Sequence, residues 1–150
     1  MPKGPILVVD DEPVNLATID GAFRGKHKLV FALNGSDALV AAFKHRPALI
    51  LLDVQMPGLD GYAVCRRLKA DPRTVSIPVM FITSRRDVTD EAEGFSAGGV
   101  DYITKPFSIE ILSARVQTHL SLVRATELER SYHDAIHMLG HAGHFNDNDT

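Results

Sequence analysis

The sequence predicts an α/β domain built on a five-stranded parallel sheet, and three observations predict it. Short apolar runs alternate with segments of helical periodicity from Ile6 to about Leu120. Three of those runs, at 6–9, 48–52 and 77–82, contain no polar side chain, as expected of strands covered by helices on both faces. Acids, a hydroxyl and a lysine stand where the runs end, and the carboxyl ends of strands are where open parallel sheets bind ligands.

Each element has its own signal. The first run, 6–9, stops at Asp10-Asp11-Glu12, and Pro13 suits the first turn of a helix. Val14, Leu16, Ile19 and Phe23 follow a helical face until Gly25. Residues 28–32 read as a second, more polar strand. Ser36 is placed to cap a helix carrying Ala38, Leu39, Ala42 and Phe43, which Pro47 closes. The third strand, 48–52, ends at Asp53, and Pro57-Gly58 makes a turn. Asp60 or Gly61 opens a helix with Tyr62, Val64, Cys65 and Leu68, ended by Asp71-Pro72. A fourth strand over 77–82 leads to a helix from about 88 to 97, stopped by Gly98-Gly99. Residues 100–104 are the fifth strand, and the last helix starts after Ser108.

Composition narrows the function. A hydrophobic content of 45% with 23% charged residues is that of a globular domain with a sizeable core. A net charge of -3 supplies no basic field, so direct nucleic-acid binding is not expected. The lone cysteine, Cys65, forms no internal disulfide and fits a reducing compartment. No apolar run is long enough to span a bilayer and no signal-peptide pattern opens the chain, so a cytoplasmic location is expected.

The strand ends carry the chemistry. The first gives Asp10 and Asp11, the third Asp53, the fourth Thr83 and the fifth Lys105. Acids converging on one crevice repel unless a cation neutralises them, and hard oxygen ligands suit Mg2+. Such a site is prepared for phosphoryl transfer, with Asp53 as nucleophile, Thr83 as donor and Lys105 as a point charge.

The set Asp10-Asp11, Asp53 followed by MPGLDG, Thr83, and Lys105-Pro106-Phe107 resembles the receiver domain of bacterial two-component response regulators. The resemblance implies a flavodoxin-like sheet of order 2-1-3-4-5 with helices on both faces, over residues 1–122. It implies that Asp53 accepts phosphate from a sensor histidine kinase. Asp11, Asp53 and the Gln55 backbone carbonyl would hold Mg2+, with Asp10 helping through water. Thr83 and Tyr102 match the family's switch pair, and the Lys105-Pro106 bond is usually cis there. Gln55 and Arg85 occupy variable positions thought to tune the phosphoryl lifetime. Two competing classes fit less well. Haloacid-dehalogenase-like phosphatases need an acid where Gln55 stands, and a flavin carrier would not place acids in its first loop.

The C-terminal segment, 123–150, is expected to be a connector helix running into the start of an output domain. Leu112, Val116, Leu120 and Val123 can cover the sheet, and Tyr132, Ile136 and Leu139 then resume an apolar face on a helix of about thirty residues. A homodimer through this helix is a further option, although its heptads are poor. The stretch YHDAIHMLGHAGHFNDNDT resembles the entry to an HD-GYP phosphohydrolase domain, a family that degrades cyclic di-GMP. That implies a receiver governing a covalent output domain; the alternative is a stand-alone receiver acting by protein–protein contacts. His133, His137 and His141 share one helical face with metal-binding spacing, but no acid or cysteine completes a shell, and a His-rich polar face is the favoured reading.

Overall fold

The structure, a computed structural model, describes residues 4–84 and 88–143, with the backbone alone at Val88 and over 137–143. Its elements are β1 (Ile6–Val9), α1 (Pro13–Phe23), β2 (Leu29–Ala32), α2 (Gly35–His45), β3 (Leu49–Leu52), α3 (Gly61–Lys69), β4 (Val79–Thr83), α4 (Val88–Ser96), β5 (Asp101–Thr104) and α5 (Ile109–Gly143). The strands form one sheet in the order β2-β1-β3-β4-β5, every pair parallel. This is the flavodoxin-like arrangement that the resemblance implied.

Successive side chains of a strand point to opposite faces, and this sorts the core into two layers. Leu7, Val9, Ile50, Leu52, Val79 and Phe81 pack with residues of α2 and α3 on one face. Ile6, Val8, Leu49, Leu51, Met80 and Ile82 pack with α1 and the first half of α5 on the other. β1, β3 and β4 are central and buried throughout. β2 is an edge strand whose Phe31 is exposed, which accounts for its weaker apolar signal.

Boundaries move by a residue or two from those expected. β4 begins at Val79 because Pro78 has no N–H to give the ladder. The cap of α2 is Asn34, not Ser36: its Oδ1 accepts from the Asp37 N–H at 2.8 Å. The helix thus begins at Gly35, where a Cβ would lie 2.6 Å from the Leu59 carbonyl oxygen. Asp60 caps α3 as expected, accepting from the Ala63 N–H at 2.9 Å.

α5 is 35 residues long and continues through Gly140. Leu112, Val116 and Leu120 are buried and Val123 is half-buried, whereas Leu128 and Tyr132 are 71% and 69% exposed. Among the described residues, no helix is long and apolar enough to cross a membrane.

The two halves of α5 should therefore respond differently to truncation. Leu112→Ala leaves a cavity in the core and should cost about 2–5 kcal/mol. Leu128→Ala should stay within about 0.5 kcal/mol of the parent in a monomeric sample. Urea denaturation followed by circular dichroism checks both.

Candidate functional site

Parallel register determines what meets at the carboxyl edge of the sheet. Val9 pairs with Leu52, so the next residues, Asp10 and Asp53, emerge side by side, and the Asp53 N–H donates to the Val9 carbonyl at 3.0 Å. Thr83 pairs with Thr104, and the Lys105 N–H donates to the Thr83 carbonyl at 2.8 Å. The Lys105 side chain thereby starts from the same edge, and a cis peptide bond joins it to Pro106.

The expected acids converge. Carboxylate oxygens of Asp10, Asp11 and Asp53 lie within 4.8 Å of one another. Lys105 Nζ donates to Asp10 Oδ2 at 2.7 Å and stands 3.5 Å from Asp53 Oδ2. Asp10 accepts two further bonds, from the Glu12 N–H at 2.9 Å and from Asn15 Nδ2 at 3.1 Å. Asp11 is half-buried and makes no hydrogen bond or ion pair among the described residues.

Burial raises the Asp53 carboxyl above the ordinary aspartate range; the Lys105 charge opposes this and the Asp10 charge adds to it. Burial pulls Lys105 downward, but its hydrogen bond to Asp10 and the charges of Asp53 and Asp10 outweigh that, so the ammonium is held above its usual value. Three carboxylates facing one ammonium leave the cluster net acidic. Its donors are all hard oxygens, and Asp11 has no competing partner. This donor set fits a divalent metal ion.

The other expected residues fall around the cluster. The Gln55 N–H bonds the Asp53 carboxylate, and its side-chain Oε1 accepts from the Ser84 hydroxyl at 3.1 Å. Thr83 is fully buried at the end of β4. Tyr102 is buried one strand over, its ring tilted against Phe81 at 6.0 Å. Its hydroxyl lies 3.2 Å from that of Tyr62, which donates to the Asp90 carbonyl at 2.7 Å. Burial pushes the Cys65 thiol up to about 11, so it is an inert packing residue. Arg85 lies outside the described residues, as do the side chains of His137 and His141; His133 is exposed.

Three contributors escaped the sequence reading. Asn15 links Asp10 to Glu12, donating to Glu12 Oε1 at 2.9 Å; its one signal is a short polar side chain one turn into the helix after the acids. Gly61 lets α3 approach the Asp53 backbone, since a Cβ there would lie 2.3 Å from the Asp53 carbonyl oxygen. Tyr62 partners Tyr102 across the fold, a contact with no local signature.

Comparisons with known proteins bear on the family and the fold. The family model described as the response regulator receiver domain matches residues 6–117. A Vibrio cholerae protein named "Probable cyclic di-GMP phosphodiesterase" is 38% identical over 129 residues, which are 86% of this chain and 29% of that protein. The Synechocystis protein named DNA-binding dual master transcriptional regulator RpaA is also 38% identical over 129 residues, 85% of this chain and 51% of that one. Among solved structures, the receiver domain of a Pseudomonas aeruginosa sensor histidine kinase, with a magnesium ion coordinated in its active-site cleft, is 30% identical at a TM-score of 0.72. That match covers 79% of this chain and 99% of the solved one. The chain thus spans 29% and 51% of the length of these two curated relatives.

The raised carboxyl of Asp53 has a consequence for stability. The folded protein holds the Asp53 proton more tightly than the unfolded chain, so this group's contribution is most favourable at low pH. It declines as pH rises through the carboxylate range. In metal-free buffer at neutral pH, Asp53→Asn should therefore be more stable than the parent, and the gap should narrow as pH falls through that range. Urea midpoints measured across a pH series check the sign.

Proposed function

The chain belongs to the response regulator receiver domain family, and from that premise we propose that Asp53 is its phosphoacceptor, taking a phosphoryl group from a sensor histidine kinase. The observation that carries the reading is the buried Asp53 carboxylate held between two acids and the Lys105 ammonium. In the transfer, an Asp53 oxygen attacks the phosphorus of a phosphohistidine. The P–N bond breaks, and its electron pair leaves on the imidazole, which takes a proton from solvent. Lys105 stands as a point charge for a phosphoryl oxygen, and the Thr83 hydroxyl donates to another.

The metal in this reading is Mg2+, supported by the all-oxygen donor set and by the magnesium in the similar kinase receiver domain. Asp11, Asp53 and the Gln55 backbone carbonyl would hold it. Asp10, already engaged by Lys105, Glu12 and Asn15, would act largely through water. When bound, the ion neutralises charge on the transferring group.

Thr83 and Tyr102 are the proposed switch. Phosphate brings acceptor oxygens that draw Thr83 toward Asp53, and the Tyr102 ring shifts into the space this leaves. Tyr102 is already buried against Phe81, so the response is a change of packing and of its contact with Tyr62.

Residues 1–122 act as the receiver and 123–150 as the link to an output domain. A cyclic di-GMP phosphodiesterase of HD-GYP type is the output that the Vibrio relative's name and the tail sequence support best. The competing reading is a stand-alone receiver working by protein contacts. It is less favoured because α5 runs on well past the last residue it buries in the domain, Leu120.

With Mg2+ and a small phosphodonor, intact-mass spectrometry should record one added phosphoryl group on the parent and none on Asp53→Asn. Equal labelling of both would remove Asp53 from its role. Asp11→Asn should weaken Mg2+ binding about tenfold or more. Thr83→Ala should still be labelled but lose most of the chemical-shift change at Tyr102. Residues 1–150 should not hydrolyse cyclic di-GMP, whereas a chain that carries the proposed output domain should, with a rate that depends on Asp53.

A further inference from the structure

The apolar face of α5 changes sides along its length. In its first half Leu112, Val116 and Leu120 point into the domain and are buried. Beyond them Val123 continues the same face, and a second apolar set follows, Leu122, Ala125, Leu128, Tyr132 and Ile136, at successive spacings of three or four residues with Ala135 at its edge. At 3.6 residues per turn, the mean direction of this second set lies ~180° from that of the first. After the half-buried Val123, the side that continues the buried face carries Glu127, Arg130 and Asp134. All five apolar residues of the second set are exposed. A stripe meant for the sheet would have kept its phase; this one faces away from the domain, and apolar stripes of this width on long helices are buried against another apolar surface.

We propose that residues 121–136 of α5 form a parallel two-stranded coiled coil with the same segment of a second copy of this chain. Ala125 and Tyr132 take the a positions, Leu128 and Ala135 the d positions, and Leu122 and Ile136 flank the seam at e. This register puts Arg124 at g and Glu129 at the following e, the two positions that face each other across a parallel pair. Neither has an ion-pair partner in its own chain among the described residues. An antiparallel pair would bring g against g and e against e. Arg124 and Ser131 at g, with Leu122, Glu129 and Ile136 at e, then supply no opposite charges. Charge complementarity therefore selects a second copy and the parallel direction together. The inference rests on burial and spacing in α5 and is independent of the role of Asp53. Its consequence is that two receiver bodies sit at one end of the seam and their downstream chains leave together at the other.

Sedimentation equilibrium on residues 1–150, unphosphorylated and metal-free, tests it. The parent should show a reversible monomer–dimer equilibrium, and Leu128→Asp should be monomeric while keeping the parent's circular dichroism spectrum, because Leu128 is exposed in a single copy. Arg124→Glu and Glu129→Arg should each raise the dissociation constant by about tenfold, and the double variant should return to the parent value. A parent that stays monomeric, a Leu128→Asp dimer as tight as the parent's, or a double charge swap no tighter than the singles would each overturn the proposal.

Discussion

The arrangement depends on one electrostatic constraint: three carboxylates crowd the carboxyl edge of a parallel sheet, and a lysine from its far edge reaches across to them. The register of β1 against β3 makes Asp10 and Asp53 neighbours, and nothing in either strand can separate them. Lys105 starts beside Thr83 on the far side of β4, so a long, flexible cation is the side chain able to place its charge between both acids. The Asp53 carboxyl is nonetheless held above its ordinary range, which means that the folded protein tolerates a destabilising group here. In the proposed function, this group gains its partner charge from the bound ion.

Much of this was legible in the sequence because it rests on local pattern. Uninterrupted apolar runs marked β1, β3 and β4, and an acid closing two of those runs marked the edge where the carboxylates gather. What was not legible depends on tertiary approach. The cap of α2 is Asn34 and not Ser36 because the helix must start against Leu59, a residue more than twenty positions away. Gly61 reads as a helix opener in sequence, yet its lack of a side chain is what lets α3 lie against the Asp53 backbone. Tyr62 looks like any core aromatic; its hydroxyl contacts with Tyr102 and Asp90 exist once α3, α4 and β5 are assembled.

α5 shows the same limit in another form. Its apolar residues taken as one series give irregular heptads, because the series mixes two faces on opposite sides of the helix. Burial separates them: Leu112, Val116 and Leu120 belong to the receiver, and the set from Leu122 to Ile136 belongs to whatever the helix meets outside it. The site and the helix are linked through the core layer that Leu112 and Val116 share with Met80, Ile82 and Ile103, on the same strands that carry Thr83 and precede Lys105. A rearrangement at Thr83 and Lys105 thus has a packed route to the base of the helix.

The claim at the centre of this account is that the crowded edge exists to hold a phosphoryl group on Asp53. Borohydride reduces an aspartyl phosphate to homoserine, so peptide mapping after phosphorylation and reduction reports the acceptor residue itself. The account predicts homoserine at position 53 and aspartate retained at positions 10 and 11. Homoserine at another aspartate, or none in a protein that has gained the phosphoryl mass, would contradict it.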